Sequence, residues 1–150
     1  MKKKRIVWID DDLGSPILRP YIDEFIENNF EVIKVREIDN LLPILKNEAK
    51  KDLHAILVDL VMSPRHLDFN KTRGGLRTGL VVVEDILKED SLNKIPIIIV
   101  TNANDIVVSN FCKDKSIAYI EKKDYFSDEF VVIINKIISN SIIAKNKSNE

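Results

Sequence analysis

Cysteine, glycine and long apolar stretches are all scarce in this chain. One cysteine, Cys112, excludes an intramolecular disulfide. Only four glycines stand among 150 residues, so collagen-like and glycine-rich low-complexity architectures are excluded. No apolar run approaches the roughly 20 residues of a membrane-spanning helix, and Met1 to Arg5 lead into no signal-like segment. Charge of one sign is also missing. The formal net charge of −1 argues against a general nucleic-acid binder, which carries a broad basic excess. The basic run Lys2 to Arg5 enters the first strand directly and reads as a solvated approach to a sheet. Together these absences predict a cytoplasmic protein with no membrane segment and no direct nucleic-acid contact.

What is present is a core. Hydrophobic residues make up 45% and charged residues 31% of the chain, the composition of one ordinary globular domain. The predicted domain covers residues 1–145, with a disordered tail over 146–150. Cys112 falls among apolar neighbours on a predicted helix and reads as a small packing residue.

Five apolar or alternating runs alternate with helical periodicity. IVWID (Ile6 to Asp10) reads as a strand, and Ser15-Pro16 as the cap and first position of a helix through Ile26. FEVIKV (Phe30 to Val35) alternates and reads as an edge strand, followed by a helix from about Asn40 to Lys50 with Pro43 in its first turn. HAILVDL (His54 to Leu60) precedes a loop with Gly74, Gly75 and Gly79, then a helix predicted to be capped by Thr78. IPIIIVT and IAYIE are the last strands. Each is followed by a helix, one from about Asn104 to Asp114 and the other from a Ser127 cap to about Ile143. This βα pattern, five times repeated, predicts an α/β fold: a doubly wound five-stranded parallel sheet in strand order 2-1-3-4-5, of flavodoxin-like type.

Four of these runs end at polar residues that handle phosphate or metal: Asp10 and Asp11, Asp59, Thr101 and Lys122. In an open parallel sheet, ligands bind outside the carboxyl ends of the strands, so the four endings should converge. Adjacent carboxylates repel unless a cation lies between them, and Mg²⁺ prefers oxygen ligands and a substrate phosphate. Asp59 closes a run too apolar to admit a carboxylate without reason. An aspartate there can act as nucleophile and form an aspartyl-phosphate. Thr101 adds a hydroxyl and Lys122 an ammonium. The set predicts Mg²⁺-assisted phosphoryl transfer onto an aspartate, although Lys123 leaves the choice between the two lysines open.

The motifs IVWIDDD, ILVDLVM with Pro64 beyond it, IIIVTN and YIEKK resemble those of the receiver domains of two-component response regulators, over about Lys4 to Ile143. The resemblance implies that Asp59 is the phosphoacceptor and that Mg²⁺ is held by Asp11, Asp59 and the backbone carbonyl of Val61, with Asp10 assisting through water. It implies Thr101 as the switch hydroxyl, Lys122 as the phosphate-pairing lysine and Tyr119 as the switch aromatic. Its expected partners are a histidine kinase or histidine phosphotransfer protein and an unidentified downstream protein, with homodimerisation through the fourth-helix face frequent in the family. Such a bacterial phosphorelay component is not a dedicated enzyme; it catalyses its own phosphorylation and dephosphorylation.

Three features depart from the family pattern. Asn102 stands where a small residue is usual, and Lys123 where proline is usual. Gly79 lies twenty positions after Asp59, whereas connections in α/β units commonly run about 2–6 residues. The intervening SPRHLDFNKTRGGLRT carries Arg65, Lys71, Arg73 and Arg77 against Asp68. It reads as a loop that contacts the phosphodonor or gates Asp59, or as a solvated mobile segment. Two other functions compete. One is a phosphorylation-independent pseudo-receiver. The other is a haloacid-dehalogenase-type phosphatase built on Asp10, Asp12 and Lys122, with Asp124 or Asp128 as its further acid, which leaves Asp59 without a role.

Overall fold

The computed structural model describes residues 2–148. Its element order is β1 (Lys4–Ile9), α1 (Arg19–Glu27), β2 (Phe30–Val35), α2 (Leu41–Ala49), β3 (Ala55–Val58), α3 (Thr78–Leu87), β4 (Ile97–Thr101), α4 (Ile106–Asp114), β5 (Ala118–Glu121), a 3-10 turn (Lys122–Asp124) and α5 (Ser127–Ser148). All pairings are parallel and the strand order is β2-β1-β3-β4-β5. The expected doubly wound sheet is therefore present.

Alternation along each inner strand explains the continuous apolar runs. Ile6 and Trp8 of β1, Leu57 of β3 and Ile98 of β4 pack with Ile22 and Phe25 of α1 and Phe130 and Ile134 of α5. Val7, Ile9, Ile56, Val58 and Ile99 face Leu45 of α2, Val83 and Ile86 of α3 and Cys112 of α4. A strand covered on both faces has no position for a polar residue until it leaves the sheet, so a carboxylate marks its end. The first layer is aromatic. Trp8 stacks on Phe130 at 5.9 Å and meets the edge of Phe25 at 6.0 Å, contacts worth about 0.5–1.5 kcal/mol each beyond area burial.

Helix boundaries differ from the predicted ones at three places. Residues 11–18 form turns, and α1 begins at Arg19 with Pro20 in its first turn. A helix capped at Ser15 would place Pro20 where its missing N–H is required, so the second proline delays the start. Thr78 does not cap α3 but is its first residue. Its hydroxyl donates to the Met62 carbonyl at 2.6 Å instead. The helix predicted to stop near Ile143 continues to Ser148, with Lys145 and Lys147 in its last turn, where cations favour the helix dipole. Of the tail predicted to be disordered, residues 146–148 are thus helical, and residues 149 and 150 lie outside the described residues.

The long connection between β3 and α3 is folded on itself. Asp68 accepts from the N–H groups of Asn70 and Lys71 at 2.8 and 2.9 Å. The buried Thr72 hydroxyl donates to the Asp68 carbonyl at 3.0 Å. Gly75 has φ +103°, and a Cβ there would lie 2.8 Å from the Met62 carbonyl oxygen, so only glycine closes this turn. Arg65 grips Asp39 at 2.8 Å and His66 lies 3.0 Å from the same carboxylate, pinning the loop beside α2.

Candidate functional site

The strand ends of β1 and β3, on either side of the point where the chain reverses direction across the sheet, bring Asp10 and Asp59 together. Each is placed by a ladder bond one residue beyond its strand: Asp10 N–H to the Val35 carbonyl at 3.0 Å, and Asp59 N–H to the Ile9 carbonyl at 2.9 Å. Gly79 supports the same turn from beneath. Its N–H donates to the Leu60 carbonyl at 2.9 Å, and a Cβ at this position would sit 2.2 Å from the Asp59 carbonyl oxygen. The insertion bulges outward and returns so that Gly79 still meets the Asp59 turn.

Asp59 is 7% exposed. Burial, reinforced by the charges of Asp10 and Asp11 and opposed by Lys122, pushes its carboxyl up to about 7. Asp10 is fully buried. One of its oxygens accepts from the Asp12 N–H at 2.8 Å and the other from the Lys122 ammonium at 3.1 Å. Burial raises its pKa, and Lys122 holds that rise back. Of the two lysines left open by the sequence, Lys122 is the one buried against the carboxylates; Lys123 is exposed and lies 3.4 Å from Glu121.

Ligand oxygens of Asp10, Asp11 and Asp12 lie within 4.8 Å of one another. Both Asp10 oxygens are engaged, whereas Asp11 and Asp12 are exposed, and the Val61 carbonyl accepts no hydrogen bond among the described residues. This all-oxygen, net-negative donor set fits a hard divalent cation such as Mg²⁺. Asp12, given no metal role by the receiver resemblance, belongs to the gathered carboxylates. A cavity of about 240 Å³ lined by Asp11, Arg36, Glu37, Ile38, Met62, Ser63 and Arg65 opens beside them.

Thr101 is 1% exposed and its Oγ accepts from the Ala103 N–H at 3.1 Å. The half-buried Tyr119 hydroxyl donates to the Ala103 carbonyl at 2.7 Å and accepts from the Asp105 N–H at 3.3 Å. Asp105 caps α4, accepting from Val107 and Val108 N–H groups, and binds Arg77 of the insertion at 2.7 Å. Arg77 holds the Asp105 carboxyl below the usual carboxylate range. The two small departures from the family pattern touch each other. The Lys123 N–H, a donor that proline lacks, is accepted by Asn102 Oδ1 at 3.0 Å.

No protein-family model matches this chain, and no curated protein matches it. Solved structures do. A CheY-like response regulator receiver domain protein from Methanospirillum hungatei superposes with TM-score 0.70 at 20% identity, covering 95% of this chain and 98% of that one. A response regulator from Desulfuromonas acetoxidans gives TM-score 0.67 at 17% identity, covering 91% and 97%. NtrX from Brucella abortus gives TM-score 0.73 at 15% identity over 97% of this chain and 29% of its own length. Across nearly its whole length, this chain has the fold of the response regulator receiver domains.

Proposed function

We propose that this chain is a phosphoacceptor receiver domain. It takes a phosphoryl group from a histidine kinase or histidine phosphotransfer protein onto Asp59 and signals through protein–protein contacts in the cytoplasm. The observation that carries this reading is a buried strand-end aspartate, pushed up to about 7, between an acidic cluster and a buried lysine. A structural aspartate gains nothing from such an environment, whereas a perturbed carboxylate among charges of both signs is a candidate for chemistry.

In the transfer, an ionised Asp59 oxygen forms the new O–P bond while the donor N–P bond breaks, its electron pair staying on the donor imidazole. Mg²⁺, when bound, would neutralise charge on the phosphoryl oxygens. Asp11, which otherwise accepts only a 3.4 Å bond from the Ser63 N–H, and Asp59 would hold it with the Val61 carbonyl, and Asp10 would assist through water. The Lys122 ammonium, held on Asp10 beside Asp59, offers a point charge to a phosphoryl oxygen, and the Thr101 O–H offers a donor. The same surroundings that resist ionisation of Asp59 favour an acceptor whose added charge is met by cations.

Labelling with acetyl phosphate and Mg²⁺ tests this. Wild type is expected to gain one phosphoryl group at Asp59 and Asp59→Asn none; equal labelling of both sinks the assignment. The phosphatase reading draws less support, because Asp124 lies in the 3-10 turn and Asp128 in the first turn of α5 rather than on a further strand.

A further inference from the structure

The insertion and the loop after β4 meet at one contact. Arg77 Nε donates to Asp105 Oδ2 at 2.7 Å and a terminal nitrogen donates to Oδ1 at 3.2 Å. The two side chains are only 19% and 17% exposed. A planar fork on a carboxylate fixes orientation as well as distance, and partial burial protects it from screening. From Asp105 the connection runs on without a gap. Its N–H donates to the Tyr119 hydroxyl, which donates to the Ala103 carbonyl, and the Ala103 N–H donates to Thr101 Oγ. Behind Arg77 the connection is as continuous. The Arg77 N–H donates to the Thr72 carbonyl at 2.7 Å, and its neighbour Thr78 is bonded to Met62, three residues past Asp59.

The geometry points to Arg77 as a positioning residue for the phosphoryl switch: it fixes Asp105, and through Asp105 and Tyr119 the loop that presents Thr101. This inference rests on the phosphoacceptor reading of Asp59. Its direction follows from the hydroxyl inventory. Thr101 spends its oxygen on accepting the Ala103 N–H and makes no donor bond among the described residues, so its proton is free for a phosphoryl oxygen. The arrangement that Arg77 holds is one in which the hydroxyl is available. Arg77 therefore presets engagement of the phosphoryl group. The insertion is thereby part of the switch, connecting the phosphoacceptor turn to the N-terminus of α4.

The test is the affinity for beryllofluoride in Mg²⁺, read by fluorine NMR, together with amide exchange of the unliganded protein. Arg77→Ala and Asp105→Asn are each expected to weaken binding about tenfold, a typical coupling between sites. Both should speed exchange at Ala103 and Asp105. Asn still caps a helix, so Asp105→Asn removes the ion pair without unseating α4. Adding Tyr119→Phe to Arg77→Ala should weaken binding no further than the larger single change, because both act on one connection. Lys46→Ala, which breaks the 3.0 Å Lys46–Glu89 pair elsewhere, should leave both readouts unchanged. Affinity within twofold of wild type, or tighter, in Arg77→Ala and Asp105→Asn would overturn the proposal. If wild type itself binds no beryllofluoride, the phosphoacceptor reading fails and this inference fails with it.

Discussion

Asp59→Asn should make the metal-free protein more stable, and the size of the effect follows from the site. In the unfolded chain Asp59 loses its proton near its ordinary value of 3.8; in the folded protein it does so at about 7. Between these values the folded state holds a proton that the unfolded state has released, so stability falls as pH rises through this window and levels off above about 7. A rise from 3.8 to about 7 corresponds to about 4 kcal/mol at roughly 1.4 kcal/mol per pH step. Asparagine keeps the shape and removes the charge. With local relaxation taking part of the gain, the variant should be more stable at pH 8 by about 2–4 kcal/mol, or roughly 6–12 °C in Tm.

Urea unfolding followed by the single tryptophan, the buried Trp8, measures this in EDTA at pH 5 and pH 8. The carboxylates held below their ordinary value, Asp39, Asp68 and Asp105, stay ionised across that range. The difference between wild type and variant therefore isolates Asp59 and its acidic neighbours. The advantage of Asp59→Asn should be partial at pH 5, about two-fifths of its full size because the unfolded carboxyl is already ionised there, and full at pH 8. Adding Mg²⁺ at pH 8 should stabilise wild type more than the variant. A variant no more stable than wild type at pH 8, or an advantage independent of pH, would refute the claim that Asp59 is ionised against its surroundings.

Three further outcomes are expected. Lys122→Met leaves the fully buried Asp10 carboxylate without its cation and should cost about 3–5 kcal/mol at pH 8, with a cost that shrinks as pH falls, because burial already raises the Asp10 pKa and the loss of Lys122 raises it further; denaturant midpoints at pH 8 and at lower pH check it. Gly79→Ala puts a methyl 2.2 Å from the Asp59 carbonyl oxygen and should cost about 3 kcal/mol or more, with loss of acetyl phosphate labelling; near-wild-type stability would show that the α3 start is not seated on the Asp59 turn. Asn102→Ala should speed exchange of the Lys123 amide by about tenfold, equivalent to about 1.4 kcal/mol, whereas Asn102→Asp, which keeps the acceptor oxygen, should not.

The parts of the fold that were readable were those governed by local rules. Inner strands covered on both faces show as unbroken apolar runs, and the first polar residue after the runs of β1 and β3, Asp10 or Asp59, marks where the strand leaves the sheet. The start of α1 was misplaced because Ser15-Pro16 satisfies the local cap rule, while Pro20 vetoes it one turn later. The insertion resisted reading for a different reason. Its order comes from Asp68, Thr72 and Gly75 bonding to backbone within the loop, and polar loop residues with partners resemble polar loop residues without them. The Arg77–Asp105 pair spans 28 positions, and no periodicity signals such a meeting. The Asn102–Lys123 bond was hidden in the same way, although two departures from one family pattern, 21 positions apart, were its visible trace.

By itself, then, the sequence determined the succession of elements, the sheet they build and the side chains placed at its carboxyl edge, because burial patterns and strand periodicity are local properties. Tertiary structure alone decided what those side chains feel. Packing buries Asp59 beside Asp10 and sets Lys122 on Asp10, and it carries Arg77 across to Asp105. Desolvation and charge pairing depend on which groups meet in space, and that is a property of the folded chain.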